Sequence, residues 1–237
     1  MSDTITKAVP PVVFQFGKLK VTLILGDCRI LAPMIEGIDA VISDPPYGMG
    51  WDTDSTRFTG GNMKKGEGRA DWGNIGRDAE PFDPTPWLDY ERCVLFGANH
   101  YAQRLPVGTT LVWLKRADHL FQSFLSDAEI AWMKGGHGVY AYRKQFPPSL
   151  RMKEFNGGAA RPAHPTQKPI GLMRWVMDMA KVPEGATVLD PYMGSGTTGI
   201  ACLRTGRNFV GIEQDPKHFE TAVSRIRHEI AQGEPLC

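Results

Sequence analysis

Two short stretches carry most of the chemistry that the residue types allow. Asp44-Pro45-Pro46-Tyr47 lies in the first quarter of the chain, and Asp190-Pro191-Tyr192-Met193-Gly194-Ser195-Gly196-Thr197-Thr198 near its end. In the first, consecutive prolines make a stiff, extended turn that fixes the carboxylate and projects the ring. Asp44 can accept one hydrogen of a flat exocyclic amine and the Pro45 carbonyl the other, so that the nitrogen lone pair turns out of plane toward an electrophile. Tyr47 offers a face on which such a ring stacks, worth about 1–3 kcal/mol. No strong base is needed before attack, because the nitrogen becomes acidic only after alkylation. Asp44 can then take that proton or pass it to water. At average residue frequencies a given tetrapeptide recurs at roughly one position in 10^5, so a coincidental rigid loop is a poor account of it.

The second stretch is a glycine-rich turn. Gly194 and Gly196 let the backbone adopt dihedrals that a side chain forbids and let a ligand approach closely. The helix behind them aims free N–H groups at whatever sits in the turn. Glu213 ends the next strand, where a carboxylate can accept both hydroxyls of a ribose. Gly194-x-Gly196-x-x-Gly199, with Glu213 about twenty residues on, also matches the dinucleotide fingerprint, which keeps an NAD-dependent oxidoreductase open as a second class. Against it stands Asp190-Pro191, since Asp190 would repel a diphosphate. That carboxylate suits the ammonium of a phosphate-free adenosine cofactor such as S-adenosyl-L-methionine.

Both motifs must be held by strands. Seven apolar, β-branched runs read as strands, at 19–25, 39–43, 92–96, 109–114, 128–133, 186–190 and 208–213. Each motif follows one of them, at the carboxyl end where open α/β sheets bind ligands. Residues 170–181 read as a helix with Pro169 suited to its first turn, and 197–205 as a second, closed by Gly206. The last helix has Asp215 as N-cap and Pro216 at its first position, and places Phe219, Ala222, Val223, Ile226 and Ile230 on one face. Residues 52–80 and 135–163, rich in glycine and charge, read as long loops within a single domain spanning 1–237.

Composition excludes other classes. No run of about eighteen apolar residues exists to span a membrane, and Met1-Ser2-Asp3-Thr4 lacks the basic-then-apolar order of a secretory signal, which predicts a cytoplasmic protein. Cys28, Cys93, Cys202 and Cys237 have no metal-ligand spacing, so no metal site is expected. The net charge is +1, yet residues 134–168 hold seven Lys or Arg (Lys134, Arg143, Lys144, Arg151, Lys153, Arg161, Lys168) against Glu154 alone. Such an excess can neutralise phosphates, or can coat a solvated loop.

These motifs resemble those of the amino-methylating DNA methyltransferases, the N6-adenine and N4-cytosine enzymes, and their order resembles the β group, in which the catalytic tetrapeptide precedes the cofactor motif. The resemblance runs from about Leu19 to Ile230 and implies a Rossmann-like class I methyltransferase fold. That is an α/β architecture with a seven-stranded, mostly parallel sheet, helices on both faces and a circularly permuted motif order. It implies S-adenosyl-L-methionine as cofactor and Asp44, Pro45, Pro46 and Tyr47 as catalytic residues. Gly26-Asp27-Cys28 is similar to the segment that contacts the cofactor adenine, and Glu213-Gln214 to the ribose-holding strand end. His164-Pro165-Thr166-Gln167-Lys168-Pro169 resembles the lead into the helix that closes the methionine end. The cofactor set expected from the resemblance is therefore Asp27, Cys28, Gln167, Lys168, Asp190, Tyr192, Gly194, Ser195, Gly196, Thr197, Thr198, Glu213 and Gln214.

An aspartate at the first tetrapeptide position is commoner among the adenine enzymes, which favours N6 of adenine in DNA over N4 of cytosine. Duplex DNA hides that amine, so the base must be flipped out. Arg57, Lys64, Lys65 and Arg69 of the 52–80 loop, with Arg143, Lys144, Arg151, Lys153 and Arg161, are the candidates for holding DNA. Trp51 and Trp72 lie beside or within that loop. Relatives of this group often form homodimers. The chain has no nuclease motif, so a restriction endonuclease partner would be a separate polypeptide. A catalytically silent DNA-binding relative is a third class, opposed by the intact Asp44 and Tyr47.

Overall fold

The computed structural model describes residues 9–48, 80–122, 126–147, 150, 154 and 167–233. Eight strands form one sheet: β1 (Val12–Phe16), β2 (Leu19–Leu25), β3 (Ala40–Ser43), β4 (Arg92–Phe96), β5 (Gly108–Leu114), β6 (Ala128–Arg143), β7 (Thr187–Asp190) and β8 (Asn208–Glu213). Their order is β1-β2-β8-β7-β3-β4-β6-β5. β2, β8, β7, β3 and β4 run parallel, so their carboxyl ends open on one edge.

All seven expected strands are present, and two features are added. β1 is an antiparallel edge strand on β2, with Val12 opposite Leu23 and Phe16 opposite Leu19. β6 is longer than expected and passes β5 twice. Thr109 faces Met133 and Leu114 faces Ala128 in antiparallel register, whereas Thr110 faces Val139 and Leu114 faces Arg143 in parallel register. The chain reverses at Gly135 and Gly136, whose φ values of 81° and 66° a side chain rarely tolerates. The reading of 135–163 as a loop is therefore corrected for 135–143, which form the return of β6 along the second edge of β5.

The two-residue period of the strands sorts side chains into two cores. On one face, Val21, Leu23, Ile42, Val94, Val188 and Phe209 pack with three helices, α3 (Ile170–Met179), α4 (Thr197–Leu203) and α5 (Pro216–Gln232). On the other, Val41, Cys93, Leu95, Leu189 and Ile212 pack with short segments that include α1 (Cys28–Leu31) and α2 (Thr85–Leu88). Both faces are thus covered, unequally.

Helix ends follow local chemistry. Asp215 caps α5 by accepting from the amides of Lys217 and His218, and Pro216 sits at its first position. Pro169 precedes α3 rather than entering its first turn, and the Glu154 carboxylate accepts from Ile170 N at 3.0 Å. Gly206 (φ 66°) closes α4, with Arg207 N donating to Cys202 O, a Schellman-type end. Among the described residues no helix is long and apolar enough to cross a membrane. No group of three metal-ligating side chains occurs among them either.

Candidate active site

β3 and β7 are neighbours, with Ala40 opposite Val188 and Val41 opposite Leu189. The turns that follow them therefore lie side by side, although the two motifs are far apart in sequence. Ser43 Oγ donates to Asp190 Oδ1 at 2.5 Å and joins them directly.

Asp190 is buried and accepts two further bonds, from Thr198 Oγ1 at 2.6 Å and Tyr192 N at 3.1 Å. Burial pushes its carboxyl up to about 6, against the pull of these donors. Two charged ends thus meet at the head of the sheet, and Asp190 is also the strut between them.

The glycine turn is built from below. Gly194 and Gly196 have φ of 51° and 77°, and a Cβ on Gly196 would come within 3.1 Å of Ala222 on α5. Arg225, also buried on α5, donates through Nη1 to Ser195 O, Ser195 Oγ and Thr197 Oγ1. Ser195 and Thr197 accept from Arg225, Thr198 donates to Asp190, and all three side chains are buried, so the surface they leave to a ligand is largely backbone. Glu213 Oε2 accepts from Gly194 N and Oε1 from Asp215 N, which fixes the carboxylate beside the turn. Burial raises its pKa and the backbone donors lower it, with burial prevailing. Gln214 next to it is exposed.

At the end of β2, Asp27 caps α1 by accepting from Arg29 N and pairs with the Arg29 side chain. Cys28 is a buried free thiol pushed up to about 11 by burial. Tyr192 packs edge-on against Phe82 and Trp87.

Asp44 is the centre of a charged chain that the spacing of residues does not announce. Its Oδ1 accepts from Tyr47 OH at 2.5 Å, and its Oδ2 from Lys168 Nζ at 2.5 Å. Lys168 Nζ also lies 3.0 Å from Glu129 Oε2 on β6, and Lys115 Nζ lies 2.9 Å from Glu129 Oε1. Two carboxylates and two ammonium groups alternate. The Lys168 side chain is 5% exposed, whereas those of Asp44 and Glu129 are 20% and 28% exposed and keep an open side.

The electrostatics follow from this order. Burial raises the Asp44 carboxyl, Lys168 opposes that rise and Glu129 adds to it. For Glu129, burial is outweighed by Lys168 and Lys115, which hold it down at about 2. Burial disfavours the Lys168 ammonium, yet the two carboxylates win and hold it above its ordinary value. Burial and the Asp44 charge keep Tyr47 a neutral phenol, well above its ordinary value. The Tyr47 ring stacks on exposed His100, with centroids 4.9 Å apart and planes 9° off parallel.

Lys168 therefore belongs to the charged chain at Asp44, and counting it among phosphate-neutralising cations is corrected. Neighbouring Gln167 is buried, with neither amide atom hydrogen-bonded. Of the candidates for holding DNA, Arg143 pairs with Asp118 on an exposed surface, and Lys144 pairs with Glu154. Arg57, Lys64, Lys65, Arg69, Arg151, Lys153, Arg161, Trp51, Trp72 and 164–166 lie outside the described residues. Sequence reasoning missed Glu129, Lys115, His100 and Arg225. The one available signal was an acid within the apolar run Ala128–Met133.

Residues 112–224 match the family model for the N6/N4 DNA methylases, described as DNA methylase. The type II methyltransferase M2.LlaDCHI of Lactococcus lactis subsp. cremoris is 25% identical over 84% of this chain and 85% of its own length. The type II methyltransferase M2.DpnII of Streptococcus pneumoniae is 42% identical over 66 residues, 28% of this chain and 24% of its own. Among solved structures, a putative DNA modification methylase from Thermus thermophilus, complexed with S-adenosyl-L-methionine, superposes with a TM-score of 0.51 at 20% identity. The match covers 89% of this chain and 96% of that one. The PvuII DNA methyltransferase (cytosine-N4-specific) superposes with a TM-score of 0.55 at 13% identity, over 90% of this chain and 92% of its own. At these identities the superpositions establish the class I methyltransferase fold.

Proposed function

We propose that the chain is a member of the N6/N4 DNA methylase family, whose model its residues 112–224 match, and that it transfers a methyl group from S-adenosyl-L-methionine to the exocyclic N6 amino group of adenine in DNA. The observation that carries this reading is the placement of Asp44. It is an acceptor held from behind by Lys168, beside the glycine turn and on the same edge of the sheet.

The residues at the cofactor position fit the proposed group. Gln167 presents a buried amide with both polar atoms free to bond, the Gly194–Gly196 turn presents backbone, and Glu213 presents a fixed carboxylate. Glu213 would hold the ribose hydroxyls, Asp27 the adenine side and Gln167 the amino-acid end. When bound, S-adenosyl-L-methionine supplies an electrophilic methyl on a sulfonium.

The rest is done by the chain. Once adenine is flipped out of the stack, Asp44 Oδ1 and the Pro45 carbonyl accept the two amino hydrogens, and the Tyr47 phenol yields its place on Oδ1. That grip turns the nitrogen lone pair out of the ring plane. After attack the nitrogen carries an extra proton, and Asp44 is placed to accept it. Tyr47, backed by His100, gives the base a stacking face. Residues 1–237 would act as one domain, with 52–80 and the basic residues of 134–168 other than Lys168 holding DNA, Arg143 and Lys144 among them by exchanging Asp118 and Glu154 for phosphates.

Mass spectrometry of nucleosides from unmethylated DNA incubated with protein and S-adenosyl-L-methionine tests the reading. N6-methyladenine is expected. N4-methylcytosine would keep the grip on the amine and change the base. No methylated base would overturn the proposal.

A further inference from the structure

Lys168 is shared. Its ammonium lies 2.5 Å from Asp44 Oδ2 and 3.0 Å from Glu129 Oε2, and Glu129 is itself held by Lys115 at 2.9 Å. Glu129 reaches this point from β6, which lies antiparallel between β4 and β5, with Trp113 opposite it in register. A partly buried acid in the otherwise apolar run Ala128–Met133 has no packing reason to be there, since a leucine would fill the space without desolvating a charge. What it does on the page is divide the charge of one lysine between two carboxylates.

We propose that Glu129 is a positioning residue for Asp44, acting through the Lys168 ammonium that the two share. Glu129 holds Lys168 from the side away from Asp44 and draws part of its charge off that carboxylate. Lys115 anchors Glu129 in turn. The other groups facing Asp44 are Tyr47 on its own turn, Tyr101 on the loop after β4, and Asp190 on the neighbouring turn. Both tyrosines stay neutral phenols, and Asp190 is fully engaged with Ser43, Tyr192 and Thr198, so Lys168 and Glu129 are the charges that differ most across this arrangement. The role rests on the amine-methylating reading, but the geometry that carries it does not.

The test reads Asp44 directly in the ligand-free full chain. Aspartate is labelled with 13C at the carboxyl, and the Asp44 signal is assigned by its absence in Asp44→Asn. Wild type is titrated beside Glu129→Gln, Lys115→Met and Lys168→Met. Removing a like charge and releasing Lys168 wholly to Asp44 should move the Asp44 midpoint down by about one pH unit or more in Glu129→Gln. Lys115→Met, which leaves Glu129 to draw Lys168 away, should move it up, and Lys168→Met further up. If Glu129→Gln does not fold, Lys115→Met decides, since that side chain is 26% exposed. An Asp44 midpoint unmoved in both Glu129→Gln and Lys115→Met overturns the proposal.

The acid limb of single-turnover methylation should shift in the same direction as the signal. A moving Asp44 in a wild type that methylates nothing would retire the methyl-transfer reading and leave the coupling. Methylation with an immobile Asp44 would do the reverse.

Discussion

Lys168 Nζ and Asp44 Oδ2 are 2.5 Å apart although 124 residues separate them in sequence. The contact ties the tetrapeptide turn after β3 to the residues that lead into α3, and it occupies the carboxylate oxygen that Tyr47 does not bond. It also sets the order of events at Asp44. One oxygen is committed to the lysine, and the other, now bonded to the Tyr47 phenol, is the one an amine must claim.

Asp44→Asn follows from that division of labour. The amide keeps the shape and loses the charge, so it can neither accept the proton nor pair with Lys168. Methylation should fall by roughly 10^2–10^4, the usual span for losing a general base. Binding of S-adenosyl-L-methionine should be little changed, because Asp44 lies outside the set expected to hold it. Stability should drop by less than the roughly 3–5 kcal/mol typical of breaking a buried pair, since Lys168 keeps Glu129. Single-turnover methylation and calorimetric titration of the cofactor separate the two effects, and retained activity would remove Asp44 from the chemistry.

Gly97 tests the stacking face. It sits at φ 74°, and a Cβ there would fall 2.0 Å from Tyr47 Cε1. Gly97→Ala should push the ring off His100 and cost about 1–3 kcal/mol of stability from left-handed strain and overlap. It should raise KM for DNA more than it changes cofactor affinity. A variant with wild-type KM would show that the position of the Tyr47 ring does not govern how the base is held.

How much of this was legible depended on range. Strands such as Ala40–Ser43 and Thr187–Asp190 declare themselves because they are buried and β-branched, and α5 because Asp215-Pro216 is a local start signal. The two turns were legible for the same reason, each being a short run whose residues act together. β1 was not, because Val12–Phe16 is a short edge strand that half faces solvent. The return of β6 hid behind Gly135-Gly136 and a basic composition that read as loop. Glu129, Lys168 and Asp44 come from three elements, and no spacing within one of them predicts the meeting. Arg225 carries no local signal, because its partners on the glycine turn are met only once α5 packs beneath it.

That arginine supports a third prediction. Its Nη1 makes three bonds to Ser195 and Thr197, while Nε and Nη2 are buried without a partner, and burial lowers its pKa to about 10. It is still charged at neutrality. Arg225→Met should lower stability by roughly 1.5–3 kcal/mol, the usual worth of hydrogen bonds to a charged group. Cofactor affinity should fall with it, because the turn loses its support, and Arg225→Lys should restore part of both. Urea unfolding and cofactor titration measure the two quantities, and an unchanged affinity in Arg225→Met would separate the strut from the site.

Asp190 gives the sign of a pH effect. Its carboxyl titrates at about 6 in the folded chain, raised chiefly by burial, against a reference of 3.8. The folded state therefore binds the proton more tightly than the unfolded one. Asp190 contributes its full stability below pH ~3.8, and that contribution is lost as pH rises through about 6. Two pH units correspond to about 3 kcal/mol. Measured by urea unfolding of the ligand-free protein between about pH 4 and pH 7.5, wild type should lose about that much relative to Asp190→Asn, whose amide does not titrate. A difference that stays constant across the range would mean that the donors from Ser43, Thr198 and Tyr192 already compensate the burial of the charge.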